Sequence, residues 1–280
     1  MSEDFLQTMA RASAARVVEA RASLDETTLR NRALGTPVPP VLRAHDGGFD
    51  IIAEVKLTSP AAGVLASRDT AIGERALAYA RAGAAAVSVL TEPMRFDGHL
   101  DHLREAAVAL NGTATVAMRK DFLVDSYQIY EARLAGAGGV LLILRMLDDE
   151  RLRQLLDVAT ECGLFVLLEA FDEGDLERAL PLLVGRAANG AAPLLLGVNS
   201  RDLRTLAVDG DRFARCIGAL PREVPAVAES GLESPEDVAR VATLGYRWAL
   251  IGSALMRDRS PEGILRRMLD AGRRVVNGES

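Results

Sequence analysis

The stretch IIAEVKLTSPAAG, Ile51 to Gly63, decides how the chain is to be read. It opens as a strand. Successive strand side chains alternate between faces, so Ile52, Glu54 and Lys56 share one face while Ile51, Ala53 and Val55 share the other. An acid and an amine on one face of an otherwise apolar strand are costly to bury unless they pair with each other or with a ligand. The ladder stops at Ser59-Pro60, because proline has no N–H to donate. The charges therefore stand at the carboxyl end of the strand, which in parallel α/β folds is the end where ligands bind.

Beyond this stretch a short apolar strand, a turn and an amphipathic helix recur in order. Strands are expected at Ile51–Lys56, Ala86–Leu90, Thr115–Arg119, Gly139–Ile143, Phe165–Glu169, Leu194–Asn199, Ala226–Ser230 and Trp248–Ile251. Helices are expected between and after them, at Thr70–Ala82, Leu100–Leu110, Tyr127–Ala135, Asp148–Glu161, Glu173–Leu182, Asp211–Leu220, Pro235–Leu244 and Pro261–Arg274. Several of these helices stop at a glycine, as at Gly83, Gly136, Gly163 and Gly245. Eight such units over roughly 230 residues suit an α/β fold of the (β/α)8 TIM barrel type, with a doubly wound open sheet as the alternative. The barrel is expected over 49–280.

Residues 1–48 form an N-terminal helical extension. Phe5, Met9, Ala12, Ala15, Val18 and Ala22 recur near helical spacing from Met1 to about Ala22. The passage Thr36-Pro37-Val38-Pro39-Pro40 and then Gly47-Gly48 joins this arm to the barrel. Arm and barrel together are expected to make one structural domain.

Composition excludes several classes. The net charge of −6 comes without a basic block long enough for a nucleic-acid face. Cys162 and Cys216 are far apart and form no CxxC pattern, which suits a reduced, cytoplasmic protein. The N-terminus is acidic at once and lacks the apolar region of a signal peptide. The densest apolar run, Val140 to Leu144, is strand-length and too short to span a bilayer, so no membrane partner is expected. His99 and His102 stand three apart but lack a third ligand, and His45 lies in a loop with nothing around it. No Walker A, GxGxxG, GxSxG or HExxH pattern occurs. No metal, nucleotide or acyl-enzyme chemistry is expected.

Polar residues gather where the strands end. Glu54 and Lys56 close the first strand, Arg119 and Lys120 the third, and Glu169 the fifth. Asn199 and Arg201 close the sixth, Glu229 and Ser230 the seventh, and Gly252-Ser253 the eighth. One glutamate at a strand end is most often a solvated or salt-bridged residue. Six strands doing this together define a site, because carboxyl ends converge on one mouth in a barrel. Ser230-Gly231 and Gly252-Ser253 follow the two strands whose loops commonly hold phosphate through backbone N–H groups.

The segments IAEVKLTSPAAG, SVLTEPMRFDGHLDHLREA, MRKDFLVDSYQIYEARLAGAGGVLLIL, LLEAFDEGDLERAL, LGVNSRDL, VAESGLESPEDV and LIGSALM resemble, in order, those of the indole-3-glycerol phosphate synthase family. The resemblance runs from Phe5 to Leu269 and includes the helical arm. It implies conversion of the phosphorylated small molecule 1-(2-carboxyphenylamino)-1-deoxyribulose 5-phosphate to indole-3-glycerol phosphate, with loss of CO2 and water and without metal or organic cofactor. It implies that Lys120 is the general acid, that Glu169 manages protons during dehydration, and that Glu54 and Lys56 form paired charges, Lys56 anchoring the substrate carboxylate and assisting proton transfer. Asn199 would hold a substrate hydroxyl, and Glu229 would orient Lys56 or the sugar hydroxyls. Arg201, helped by Ser59, would neutralise the anthranilate carboxylate. Pro60, Phe96, Phe122, Leu141 and Leu203 would form the slot for the aromatic ring, and Ser230, Gly231, Gly252 and Ser253 would take the phosphate. A monomer or weak homo-oligomer is expected.

The chain departs from that family in places. Ala61-Ala62 replace polar residues after Ser59-Pro60, Phe171 follows LLEA where the family has His or Asn, and 182–193 is longer than usual. These leave two alternatives open: a related phosphate-binding barrel with a changed substrate, or a barrel that binds a ligand without turning it over. An isomerase of the neighbouring step is disfavoured, because neither cysteine lies at a strand end.

Overall fold

The alternation read at Ile51 to Lys56 holds through the whole sheet. In the computed structural model, which describes residues 5–46, 48–61, 63–67, 70–183 and 193–278, Ile52, Met118, Leu141, Leu167, Leu195, Val227 and Leu250 pack together inside a closed barrel. Their sequence neighbours Ile51, Ala53, Val140, Leu142, Val166, Leu168, Leu196 and Val198 pack outward against the helices. The strands are β1 (Asp50–Val55), β2 (Ala86–Leu90), β3 (Val116–Lys120), β4 (Gly139–Ile143), β5 (Phe165–Ala170), β6 (Leu194–Asn199), β7 (Ala226–Glu229) and β8 (Trp248–Ile251). All pair in parallel, and β1 closes on β8 from Asp50 opposite Trp248 to Ala53 opposite Ile251. Closure removes the open doubly wound sheet from consideration.

The expected barrel helices form with shifts at their ends, Asp211–Leu220 shortening to Arg212–Cys216, and short helices at Pro93–Phe96 and Ser253–Arg257 are added to them. Helix α1 (Phe5–Ser23) is followed by α2 (Glu26–Leu34), which the sequence reading did not expect. Asp25 caps α2 by accepting from the Thr28 N–H, but only Leu29 and Ala33 of that helix are buried, too few to produce an apolar period. The barrel helices are α3 (Ile72–Ala82), α4 (Leu100–Leu110), α5 (Ser126–Leu134), α6 (Asp149–Glu161), α7 (Glu173–Leu183), α8 (Arg212–Cys216), α9 (Pro235–Leu244), α10 (Ser253–Arg257) and α11 (Pro261–Asn277). Capping boxes start α5 at Asp125 and α9 at Ser234.

The arm lies along the loop that follows β3. The Ser13 hydroxyl donates to the Phe122 carbonyl at 2.5 Å and accepts from the Gln128 amide at 2.8 Å. Arg16 meets Asp121 at 2.7 Å, and Arg21 meets Asp125 at the same distance. Leu6 and Met9 of α1 join the cluster that fills the barrel. Below the barrel, His45 is not isolated as the sequence suggested: its backbone N–H donates to Asp50 at 2.9 Å and its Nδ1 lies 2.6 Å from the other carboxylate oxygen. This pair fastens the linker where β1 begins.

The segment 182–193 leaves the end of α7 and enters the amino end of β6; its residues 184–192, like Ala62, lie outside the described residues. Among the described residues, no helix is long and apolar enough to cross a membrane.

Candidate active site

The two-residue parity of β1 points Glu54 into the barrel mouth, with Lys56 just past the strand end. Glu54 is buried, with one carboxylate oxygen 2.6 Å from Lys56 Nζ and the other 3.1 Å from Lys120 Nζ. Glu229, almost wholly buried, lies 3.9 Å from the same Lys120 ammonium. The lysine beside Glu229 is thus Lys120, where the resemblance implies a role toward Lys56 or the sugar hydroxyls. A Cβ at position 197 on β6 would overlap the Glu229 carboxylate, so glycine at that inward position makes room for the group. Likewise a Cβ at Gly252 would run into Glu54 and Lys56, so only glycine lets the turn after β8 approach the charge pair.

Three carboxyl groups (Glu54, Glu169 and Glu229) stand around two ammonium groups, so full ionisation would leave surplus negative charge in a buried site. Burial alone would push the Glu54 carboxyl up, but the Lys120 and Lys56 ammonium groups outweigh it and hold the carboxyl at about 2. Burial alone would likewise lower Lys120, but the Glu54, Glu169 and Glu229 carboxylates overcome it and hold the ammonium above its ordinary range. Glu229 goes the other way. Burial, and next the charge of Glu169, push its carboxyl well above the usual range, despite Lys120. Its two oxygens are buried without a hydrogen-bond partner among the described residues. The arrangement keeps a proton on Lys120 and on Glu229 while Glu54 stays ionised.

One cavity collects the other residues. Its wall includes Lys56, Ser59, Pro60, Phe96, Phe122, Leu141, Glu169, Asn199, Arg201, Leu203, Ser230, Gly231, Gly252 and Ser253, above a floor of Glu54 and Lys120. Glu229 and Arg119 are the strand-end residues absent from this wall; Glu229 lies against Lys120 instead. Phe122 stands between Phe96, 6.3 Å away centroid to centroid, and Phe5, which meets it edge-on at 5.8 Å. The aromatic side of the mouth is therefore partly built by α1. Asn199 accepts the Arg201 N–H through Oδ1 at 2.9 Å, which leaves its NH2 end for a ligand. Arg201 donates to the Leu206 carbonyl at 2.7 Å, which braces the guanidinium at the rim. Ser59 sits in a small hairpin, Thr58–Ser59 against Gly63–Val64, that flanks the mouth.

One expectation about the mouth is corrected. Arg119 does not belong to the mouth. It has the opposite parity to Lys120 and lies buried behind β3, 3.2 Å from Asp121 and 3.0 Å from Glu131. Phe171 is not on the cavity wall; it is buried with the Arg145 guanidinium 5.1 Å over its ring, in a neighbouring groove lined also by Leu6 and Ala10. Ala61 does line the mouth. The sequence reading missed Phe5, since the spacing that makes α1 a helix does not say where that helix docks. His99 caps α4 by accepting from the Asp101 N–H. Among the described residues, no three His, Cys, Asp or Glu side chains are grouped to hold a metal ion.

The family model for indole-3-glycerol phosphate synthase matches residues 6–268. A protein named indole-3-glycerol phosphate synthase from a Nocardioides species is 45% identical over 259 residues, covering 92% of each chain. One of the same name from Salinibacter ruber is 41% identical over 233 residues, covering 82% of this chain and 80% of that one. Among solved structures, 3-hexulose-6-phosphate synthase from Salmonella typhimurium superposes with a TM-score of 0.60 at 15% identity, covering 83% of this chain and all (100%) of that one. Thiamine phosphate pyrophosphorylase from Pyrococcus furiosus gives 0.58 at 13% identity, covering 82% and 98%. These two likenesses concern the fold alone.

Proposed function

The chain belongs to the indole-3-glycerol phosphate synthase family, and from that premise we propose how its own residues divide the work of closing the indole ring of tryptophan biosynthesis. The enzyme is a carboxy-lyase acting on 1-(2-carboxyphenylamino)-1-deoxyribulose 5-phosphate. Lys120 donates a proton to the substrate's carbonyl oxygen as the carboxylate-bearing ring carbon attacks the carbonyl carbon. Loss of CO2 then returns the bond electrons to the ring. The new hydroxyl leaves as water on a second proton, given by the Lys56 ammonium, and Glu169 accepts the proton whose departure forms the indole double bond. Positioned acids and bases of this kind contribute on the order of 10²- to 10⁴-fold each.

The other roles follow from position. Lys56 and Arg201 take the substrate carboxylate, with Ser59 beside them. Pro60, Phe96, Phe122, Leu141 and Leu203 hold the aromatic ring. Asn199 holds a hydroxyl, and the turns at Ser230-Gly231 and Gly252-Ser253 take the phosphate. Glu229, its carboxyl pushed up by burial and by the charge of Glu169, holds a proton beside Lys120. Residues 1–48 and 49–280 work as one unit, an inference supported by the contacts of Ser13 and Arg16 with the loop after Lys120. A cytoplasmic monomer or weak homo-oligomer suits two buried, unbridged cysteines.

The single observation that carries these assignments is the Glu54 carboxylate bridging Lys56 and Lys120 at the bottom of an aromatic-walled cavity. The test is indole fluorescence on adding the substrate with EDTA present. A rising signal is expected. A folded protein that binds the substrate and gives no indole signal would overturn the assignments.

A further inference from the structure

We propose that Ser200 is a positioning residue for the substrate phosphate: its buried hydroxyl fixes the turn Glu229–Gly231 so that the turn's N–H groups face the mouth. This rests on the assignment of Ser230-Gly231 and Gly252-Ser253 to the phosphate.

Ser200 follows Asn199 at the end of β6 and is completely buried (0% exposed). Its parity turns it away from the cavity, and it is absent from the cavity wall. A buried hydroxyl needs partners, and Ser200 has two carbonyls in reach: Ser230 O at 3.0 Å and Glu229 O at 3.2 Å. Its backbone N–H also donates to Glu229 O, at 2.9 Å. The single hydroxyl proton is thus shared between two successive carbonyls of the turn after β7, while the Ser200 N–H holds the first of them.

A peptide unit is planar and trans, so its N–H points opposite to its C=O. Holding the Glu229 carbonyl toward Ser200 turns the Ser230 N–H away from it. Holding the Ser230 carbonyl does the same for the Gly231 N–H. Both residues line the mouth, so the two donors are presented on the cavity side. The turn also carries strain. Ser230 (φ 70°) and Gly231 (φ 71°) are both in the left-handed region, which is costly for a residue with a side chain and persists only where neighbours impose it. Ser200 is such a neighbour.

The test compares the full-length wild type with Ser200→Ala and, as a control on the cradle itself, Ser253→Ala. Steady-state kinetics are measured with inorganic phosphate as competitive inhibitor. Ser200→Ala is expected to raise the phosphate Ki and the substrate KM together by about three- to tenfold, as for one lost hydrogen bond, while kcat stays within about twofold. Unchanged Ki in Ser200→Ala beside a raised Ki in Ser253→Ala would overturn the role of Ser200 and leave the cradle standing. Unchanged Ki in both would overturn the cradle. A fall in kcat at constant Ki would also overturn the proposal, since Ser200 would then act through Asn199 or Glu229. Should Ser200→Ala fail to fold, Ser200→Cys, near in shape and a weak donor, carries the same expectations.

Discussion

The Glu54 carboxylate lies 3.1 Å from the Lys120 ammonium, with both groups set in the barrel mouth, although β1 and β3 are separated in the sheet by β2. The same carboxylate holds Lys56, so one negative charge bridges two ammonium groups and offsets part of their mutual repulsion. Because the folded-state value is depressed to about 2, Glu54 contributes stability that is present above the ordinary carboxyl range and is lost as pH falls through that depressed value. The shift corresponds to about 3 kcal/mol. In denaturant titrations stepped downward from pH 5, Glu54→Gln is expected to start less stable than wild type and to lose stability more slowly. Parallel pH dependences would contradict the linkage.

Lys120→Ala is expected to lower kcat by roughly 10²- to 10⁴-fold while KM stays within a few-fold, because the proton it gives matters in the transition state. Steady-state kinetics decide this. A large rise in KM with kcat preserved would reassign Lys120 to ground-state binding.

Glu229 has the opposite sign. Its carboxyl holds a proton to higher pH in the folded state than in the unfolded chain, so its contribution is fully present below the ordinary carboxyl range and is lost as pH rises through the raised value. Glu229→Gln should therefore gain thermal stability relative to wild type, increasingly so from pH 5 to pH 8. It should also lose about tenfold or more in activity. A stability difference that is flat with pH would show that Glu229 titrates normally.

Arg16 reaches from α1 to Asp121, the residue after Lys120. Asp121 keeps the Arg119 and Thr91 bonds when Arg16 is removed. Arg16→Met is therefore expected to cost about 1–3 kcal/mol of stability and to lower kcat as the loop carrying Phe122 loosens. Unfolding by denaturant and turnover, measured on one preparation, separate the two effects. Lost stability with unchanged kcat would make the arm a stabiliser only.

The barrel was legible because its rules are local. A period of two along each strand and a period near 3.6 along each helix are written in the order of residues, and the strand ends announce themselves by polar residues in apolar runs. The same parity that turns Glu54 inward also turns Arg119 outward, so Arg119 could have been excluded from sequence. Helix α2, with two buried residues, carried only its Asp25 cap as a signal.

What the sequence by itself determined is the repeating unit, the mouth and the residue types that surround it. Only the tertiary structure decided that Glu229 stands beside Lys120, that Phe5 enters the aromatic wall, and that Phe171 lies outside it. Those relationships depend on the register between strands and on where α1 docks. Both are set by closure of the sheet and by packing between segments distant in the chain, which no local period records.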